Sequence, residues 1–474
     1  MKIAHTRPGL RPALAAFSGL FAALLLAGCA SMPDHQPGSA PSAPQAFKEA
    51  DSRTVTAAEA PAGGRWWEVF ADVQLSGLIA QADVANTSIQ LAAARLAQAR
   101  ALLGQADAQR LPQLALGAGA SRGNLGTPGS TRAATVLNTG VNASWEPDLF
   151  GRLAQASNAA ALDARARAAL LQSARLLVQS DVAQTYFLLR ALDAERALVR
   201  ETVAAYRDTL RLTERRLAAG DVAELDLARV QAEVAATESQ ALALDRRRAQ
   251  LDHALAVLLG ELPSAYTLAE AAWQGSLPVV PAGVPSAVLT RRPDVSAAQH
   301  AVQAAQARAG VAQAAWFPDL SLTASGGLAS TALSQLFKAS ARSWGVGALL
   351  SLPVLDGGRR DAGVQAANAQ WDAAAATYRE QVLVAFQDVE DQLAALRLLD
   401  QQAQAQAQAV QAAARATVLS GSRYRNGLVS QLELLDARRS ELSNRRQAVQ
   451  LQAAQYQATV GLIRALGGGW GSSL

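Results

Sequence analysis

The stretch that decides the fold is residues 423–442, RYRNGLVSQLELLDARRSEL, because residues 216–235, RLAAGDVAELDLARVQAEVA, have the same arrangement. Each stretch places an Arg first, a Gly four residues later and a carboxylate six residues after that Gly. Glycine commonly ends a helix because it adopts the left-handed conformation at little steric cost. The recurrence of Gly220 as Gly427, 207 residues later, predicts two helical hairpins of one design.

Further landmarks recur at nearly the same distance, which predicts two tandem copies of about two hundred residues. At a separation of 206 residues, Asn86, Gly104, Pro112, Pro147 and Gly151 correspond to Arg292, Gly310, Pro318, Pro353 and Gly357. Because the turn glycines lie 207 residues apart, one residue has been gained before the second turn. The predicted organisation is signal peptide 1–28, lipidated N-terminus and flexible tether 29–62, first repeat 63–262, inter-repeat linker 263–290, second repeat 291–467 and C-terminal tail 468–474.

Two long tracts without proline, 148–262 and 354–474, predict long helices. In steps of four and three from Val178 to Leu217, nine of twelve positions are apolar, and a second series runs from Val230 to Leu258. This is the heptad pattern of coiled coils. A helix of about 55 residues would be about 80 Å long, which disfavours the alternative of ordinary bundle helices in a compact domain.

Each copy also contains two segments with alternating polar and apolar residues, at 114–121 with 136–146, and at 319–327 with 343–352. About ten residues is the length of a tilted strand that spans a membrane. The connections, residues 121–134 and 328–341, are predicted to be loops. Four aromatic residues are predicted to lie at one rim of the sheet, namely Trp145, Phe150, Trp316 and Phe317.

Four strands cannot close a barrel, yet a sheet in lipid has to close because its edge groups find no other partners there. The chain is therefore expected to oligomerise. The apolar faces of the second and fourth strands are out of step by one residue relative to Pro147 and Pro353, so these two strands are not equated residue by residue.

The composition argues against nucleic-acid binding and against catalysis. The formal charge is +4 and the Arg residues are interleaved with acids, unlike the basic stripe of a nucleic-acid binder. The four His residues are scattered, so neither a metal site nor a general base is expected. The nearest match to a dinucleotide fingerprint, GAGASRG at 117–123, has Arg122 in place of the third glycine. Neither an enzyme nor a cofactor is expected.

The amino terminus predicts export. Residues 13–30, ALAAFSGLFAALLLAGCA, follow basic residues and form an apolar run typical of a secretory signal. The run contains Leu-Ala-Gly-Cys, which resembles a bacterial lipobox, and Cys29 is the only cysteine. Lipidation at Cys29 and delivery to the outer membrane are expected, since no Asp follows the cysteine. An ordinary signal peptide with an incidental Cys is the alternative. Residues 31–62, rich in Ser, Pro and Ala, indicate a flexible tether.

Several linked motifs resemble the outer-membrane factor (TolC-like) family of tripartite efflux pumps, in its lipoprotein (NodT-type) branch. Besides the lipobox, they are RWWEVFADVQLSGLI (65–79), RRPDVSAAQHAVQAAQARAGVAQAAWFPDLSL (291–322), LLSLPVLDGGRR (349–360) and YRNGLVSQLELLDARR (424–439). The resemblance implies a homotrimer in which four strands per chain build one twelve-stranded barrel in outer-membrane lipid. The long coiled-coil helices would form a periplasmic tunnel, and a periplasmic adaptor and an inner-membrane transporter, most simply of the RND type, would dock at its inner end.

The resemblance also assigns roles to residues near the turns. Gly220 and Gly427 would form the tip turns, with Tyr424 and Arg425 in the adaptor-docking region. The channel constriction would be lined by Leu432, Glu433, Asp436 and Asp226, in which Leu432 is an apolar plug and the acids ring the axis and favour cations.

One departure concerns the contact that closes the tip. Some family members have an Arg two residues after the turn glycine, where this chain has Val222 and Val429. Either Arg425 or Arg229 could supply the contact instead.

Three functions are compatible with this reading. The leading one is a passive exit duct for drugs and toxic compounds in a tripartite efflux system. The second is the outer-membrane channel of a type I protein secretion system. A lipid-tethered periplasmic coiled-coil scaffold, which would not span the membrane, is the alternative from a different class, and the amphipathic strand pairs argue against it.

Overall fold

The computed structural model describes residues 36, 43–50, 64–124, 133–273, 275, 277–281 and 285–468. The signal peptide, Cys29, most of the tether, the tip of the first strand connection and nearly all of the C-terminal tail lie outside these residues. Helix makes up 70% of the structure, which confirms a mainly helical fold. No helix in the described part of the chain is both long enough and apolar enough to cross a membrane.

The elements follow the predicted order twice. After a 3₁₀ turn at Trp66–Phe70, the elements are α1 (Val73–Ala85), α2 (Thr87–Ala108), β1 (Gln113–Asn124), β2 (Ala133–Trp145), α3 (Arg152–Ala218), α4 (Glu224–Leu258), α5 (Pro285–Arg291), α6 (Pro293–Ala314), β3 (Asp319–Ser330), α7 (Leu333–Leu336), β4 (Arg342–Ser351), α8 (Arg359–Arg425) and α9 (Gln431–Ala465). Helix, hairpin, long helix, turn and long helix therefore occur in both halves.

The long helices have matching lengths in the two halves. Helices α3 and α8 each contain 67 residues, and α4 and α9 each contain 35. Their heptad positions are buried as the sequence predicts, with Val182, Leu189 and Val199 of α3 fully enclosed. At 1.5 Å per residue, α3 is about 100 Å long, which exceeds the expected length.

The four strands form one antiparallel sheet in the order β1-β2-β3-β4, which is open within the chain. Its pairing places the apolar positions of all four strands on one face. This face contains Leu114, Leu116, Ala118, Ala120, Leu137, Val141, Ala143, Trp145, Leu320, Leu322, Ala324, Leu328, Trp344, Val346, Ala348 and Leu350. Most of the large apolar side chains on it, such as Leu116 at 84% and Trp344 at 81%, are highly exposed in the single chain, as expected for a surface that meets lipid.

The sheet register locates the residue that was gained between the copies. Gln113 pairs with Ser144, and Asp319 pairs with Ser351. The first members of these pairs are 206 residues apart and the second members 207, so the extra residue lies in the connection between β3 and β4. The structural partner of Gly151 is consequently Gly358, since each precedes a long helix with φ of 76° and 87°. Equating Gly357 with Gly151, and Pro353 with Pro147, was therefore wrong.

The strand ends and connections bear out the rest of the sheet prediction, with one correction. The rings of Phe150 and Phe317 stack with centroids 4.9 Å apart, which places the predicted aromatic residues at one end of the sheet. Residues 328–341 were expected to be a loop. They contain the short helix α7 and a 3₁₀ turn at Ala339–Ala341 instead, because Leu336 and Ala341 are buried there.

The main core lies at mid-height of the long helices. The rings of Phe70, Phe187 and Tyr456 form an aromatic cluster with centroids 4.6–5.9 Å apart. Part of the predicted flexible tether is attached beside this core. The backbone N–H groups of Lys48 and Glu49 donate to the carboxylate of Glu390 on α8, at 2.8 and 2.9 Å. Residues 43–50 are therefore not a free tether, which corrects the prediction for this segment.

Buried charges hold the inter-repeat linker against α3 and α4. The carboxylate of Asp193 lies within 3.5 Å of three guanidinium groups, those of Arg190, Arg196 and Arg248. These arginines in turn contact the linker: Arg248 donates to the carbonyl of Leu268 at 2.6 Å. Such a network is stable only when each buried charge keeps its partners, so the linker and the helices are fixed together.

Candidate functional site: the two helical turns

The two turns that join the long helices have the same hydrogen bonds. In the first turn, Gly220 N–H donates to Leu217 at 2.9 Å and Asp221 N–H donates to Arg216 at 2.8 Å. In the second turn, Gly427 N–H donates to Tyr424 at 3.0 Å and Leu428 N–H to Arg423 at 2.9 Å. This pair of bonds is the Schellman motif, which requires a left-handed residue at the glycine position. The φ angles of 81° and 72° confirm the role predicted for Gly220 and Gly427 in ending the helices.

A cation and an aromatic ring connect the two turns. The Arg216 guanidinium donates to the Tyr424 hydroxyl at 3.1 Å and lies 5.5 Å from the centre of its ring. Arg216 is the Arg that opens the first repeated stretch, four residues before Gly220. The predicted site residue Tyr424 is therefore a contact between the two hairpins. By contrast, Arg425 is exposed and has no hydrogen bond or ion pair to the part of the chain that the structure describes.

Helix α9 is attached to α3 by polar side chains just above the second turn. The Gln431 amide donates to the Thr213 hydroxyl at 2.9 Å, and Arg438 donates to the Thr209 hydroxyl at 2.7 Å. Hydrogen bonds of this kind specify register more than they add stability, since each contributes about 1 kcal/mol. The turn end of the α3–α9 interface is thus held by a few directional contacts.

A small apolar cluster supports these contacts. Leu435 of α9 is 1% exposed and packs with Tyr206 of α3 and with Val230 and Val234 of α4. Burial raises the pKa of the Tyr206 phenol, and the negative charge of Glu233 adds to this effect. The three helices α3, α4 and α9 therefore meet at one layer close to both turns.

Each predicted constriction acid has an arginine nearby. Glu433 lies 3.4 Å from Arg423, and Asp436 lies 3.1 Å from Arg439. Asp226 lies 3.7 Å from Arg229, one helical turn further along α4. The side chains of Glu433 and Asp436 are 47% and 57% exposed, so these pairs contribute little to stability and leave the carboxylates accessible.

Arg439 connects the second hairpin to the first as well. It pairs with Glu233 of α4, and this hydrogen bond raises the pKa of the Arg439 guanidinium. Leu432, the predicted plug, is 39% exposed and sits in the first turn of α9. Its neighbours Leu434 and Leu435 point inward and are buried, so Leu432 and Glu433 lie on the exposed side of the same helix.

The structure corrects one expectation about the tip. The sequence suggested Arg425 or Arg229 as the residue that connects neighbouring helices. Within the chain, Arg229 pairs with its own helix, and the connections come from Arg216, Arg438 and Arg439. Arg438 and Arg439 belong to the LLDARR motif, but the heptad pattern alone did not show which of them faces α3 and which faces α4.

The described residues contain no group of His, Cys, Asp and Glu that could hold a metal ion. The acids near the turns are separated by arginines and spread over two helices. The chemistry that the site offers is therefore charge and steric control of a passage.

Comparison with known proteins agrees with this arrangement. Two segments, residues 78–261 and 284–468, match the family model described as outer membrane efflux protein. The chain is 34% identical over 451 residues to the cation efflux system protein CusC of Escherichia coli strain K12, covering 94% of this chain and 98% of CusC. It is also 34% identical over 469 residues to the solvent efflux pump outer membrane protein SrpC of Pseudomonas putida, covering 96% of this chain and 98% of SrpC.

A solved structure shows the same fold. The open state of the MtrE outer membrane channel of Neisseria gonorrhoeae superposes with a TM-score of 0.82 at 30% identity, covering 93% of this chain and 98% of MtrE. Both halves of the chain, each with its strand pair and its long helical hairpin, fall within the matched residues. The chain therefore belongs to the outer membrane efflux protein family.

Proposed function

We propose that the two turns form the regulated constriction of an efflux exit duct. Channels of this family work with adaptors and inner-membrane transporters in tripartite pumps and form trimers. The protein is accordingly an outer-membrane channel for efflux. We infer that its partners are a periplasmic adaptor and an RND-type transporter, which supply the energy, and that it exports drugs or other toxic compounds.

The observation that carries the constriction proposal is the exposed side of α9 at its first turn. Leu432, Glu433 and Asp436 share this side, whereas Leu435 anchors the opposite side in the apolar cluster. A three-fold axis would bring three copies of each acid together, which concentrates negative potential and favours cations. Asp226 on α4 adds to this field, and Arg423 and Arg439 moderate it.

The polar contacts between α3 and α9 support a movable tip. A constriction that opens must exchange one set of contacts for another, and a few directional hydrogen bonds are easier to exchange than a packed apolar seam. Gln431–Thr213 and Arg438–Thr209 fulfil this role in the proposal. The exposed Arg425, together with Tyr424, provides polar groups at the turn for the adaptor.

The first test separates electrostatic from steric control. In planar bilayers, Glu433→Gln with Asp436→Asn should lower the preference for cations, because the local negative potential falls. Leu432→Ala should raise the basal leak without altering selectivity, because it widens the passage without removing charge. Glu238→Gln, on α4 away from the turns, is the matched control for loss of an acid. Unchanged selectivity in the double variant together with unchanged leak in Leu432→Ala would place these residues outside the passage.

Two further parts of the proposal concern the membrane. The apolar face of the sheet favours a spanning channel over a tethered scaffold, because a soluble protein rarely exposes a continuous apolar patch of this size. We also propose that Cys29 carries the lipid. Acyl labelling of the chain should disappear in Cys29→Ser, and persistent labelling would refute this assignment.

A further inference from the structure

The two repeats contain equivalent grooves on the long hairpins, but only one of them is filled. We define the first groove by Arg196, Val199, Leu244 and Arg248 of α3 and α4. The second groove is defined by the residues 207 positions later, Ala403, Gln406, Leu451 and Gln455 of α8 and α9. The spacing is the same as that between the two turns, so the grooves occupy corresponding places on the two hairpins.

The first groove holds a returning segment of the chain itself. After Gly260 ends α4, the linker runs back along the hairpin and buries Leu268, which is 3% exposed. The Leu268 N–H donates to Asp252 at 2.9 Å, and its carbonyl accepts from Arg248 at 2.6 Å. Two residues later, Glu270 pairs with Arg196 at 2.8 Å.

The second groove is open in the described structure. It surrounds a cavity of 290 Å³, to which the linker contributes only Leu277. Its lining carries no charge, because Ala403 and Gln455 stand where the first groove has Arg196 and Arg248. Tyr456 also lines the cavity. It is 2% exposed, and its hydroxyl has no hydrogen-bond partner among the described residues.

We propose that residues 469–474, Gly-Trp-Gly-Ser-Ser-Leu, return along α9 and occupy the second groove. Helix α9 ends in the same turn as α4, with φ of 90° at Gly467 and 73° at Gly260. In the first repeat Leu268 follows the turn glycine by eight residues, and Leu474 follows Gly467 by seven. The segment therefore places a leucine almost where the first groove buries one.

Length and charge support this occupant. Six residues beyond Gly468 span at most about 20–22 Å when extended, and Gln455 lies twelve residues, or about 18 Å, back along α9 from Gly467. Residues 469–474 contain no charged side chain, which matches the uncharged lining. The linker segment in the first groove carries Glu270, which matches the arginines there. A backbone carbonyl of the returning segment would accept from the free Tyr456 hydroxyl.

Disulfide trapping in the full-length protein tests the proposal independently of transport. Ser473→Cys with Ala403→Cys should form an intrachain disulfide under mild oxidation, seen as a mobility shift of the monomer in denaturing electrophoresis. Ser473→Cys with Ala405→Cys is the matched control, because Ala405 is exposed at the same height but does not line the groove. The two single variants report any disulfide with Cys29.

Each outcome decides the question. A band at the size of two chains would show that a neighbouring copy's segment fills the groove, and absence of any bond specific to Ala403 would show that residues 469–474 lie elsewhere. Both results would overturn the proposal. As a second readout, Ala448→Trp should fill the cavity and speed maleimide labelling of Ser473→Cys about tenfold, equivalent to about 1.4 kcal/mol of protection. Equal labelling rates in both backgrounds would contradict it.

Discussion

Helices α3 and α8 have the same 67-residue length and end in the same turn, yet they are buried to different extents. Twenty-four residues of α3 are buried and only seven of α8. Helix α3 packs against α2, α4, α6 and α9, whereas α8 packs mainly against α6 and α9. Duplication has thus preserved the backbone, while one copy became the interior of the protomer and the other its edge. In a trimer, that edge is available to the neighbouring subunit.

The comparison extends to the charges at mid-height. In the first repeat, Asp193 is buried among Arg190, Arg196 and Arg248. Its counterpart 207 residues later is Asp400, which is half-buried and accepts from Gln404 at 3.0 Å. The counterpart of Arg190 is Arg397, which pairs with Glu49 of the N-terminal segment at 2.6 Å. Hence equivalent positions fix the linker in one repeat and the N-terminal segment in the other.

The largest effect is expected from removing the central acid of the buried network. Asp193→Asn leaves three buried guanidinium groups without their common partner and should cost about 3–5 kcal/mol of the free energy of unfolding. Asp400→Asn makes the same change at the exposed counterpart and should cost less than about 1 kcal/mol. Thermal unfolding of the detergent-solubilised protein measures both. Equal shifts in the two variants would mean that the repeats are held together in the same way.

The turns should respond identically, which makes them the counterpart to the first test. Gly220→Ala and Gly427→Ala each force a side chain into the left-handed region, at about 1–2 kcal/mol. Neither added methyl group would meet another atom within 4 Å, so the cost is conformational alone. Gly104→Ala, within helix α2, should stabilise by about 0.5–1 kcal/mol instead. A difference between the turns greater than that between repeated measurements would break the equivalence.

The smallest effect concerns acid. Asn86, which caps α2, corresponds to Arg292, which bonds Asp294 at 2.7 Å and Asp388 at 2.8 Å. Although burial opposes it, the Arg292 guanidinium holds the pKa of Asp294 below its usual value of 3.8. A lowered pKa in the folded state contributes stability that is present above that value and lost as the pH falls below it. Asp294→Asn should therefore make the unfolding midpoint less sensitive to acid below about pH 4, whereas Asn86→Asp should not.

The sequence predicted the fold well because its signals are periodic and occur twice. Heptad spacing, alternating strands and paired glycines each constrain the backbone locally, and the second copy confirmed the first. What it missed depends on long-range geometry. That residues 43–50 lie on α8, and that Arg216 reaches Tyr424, follow from which helices are neighbours, and one chain's periodicity does not contain that information. The equation of Gly357 with Gly151 failed because sequence spacing does not show where an insertion falls.

That insertion has a consequence for how such a duplicated chain can change over evolutionary time. Moving a strand by one residue turns every side chain to the opposite face, so a gain within β3 or β4 would have exposed Ser325 and Thr323 to lipid. The gain lies in the connection instead, where no neighbour fixes the register. Length should therefore vary among descendants at the outer ends of the hairpins and stay constant within the strands, with the membrane itself acting as the filter.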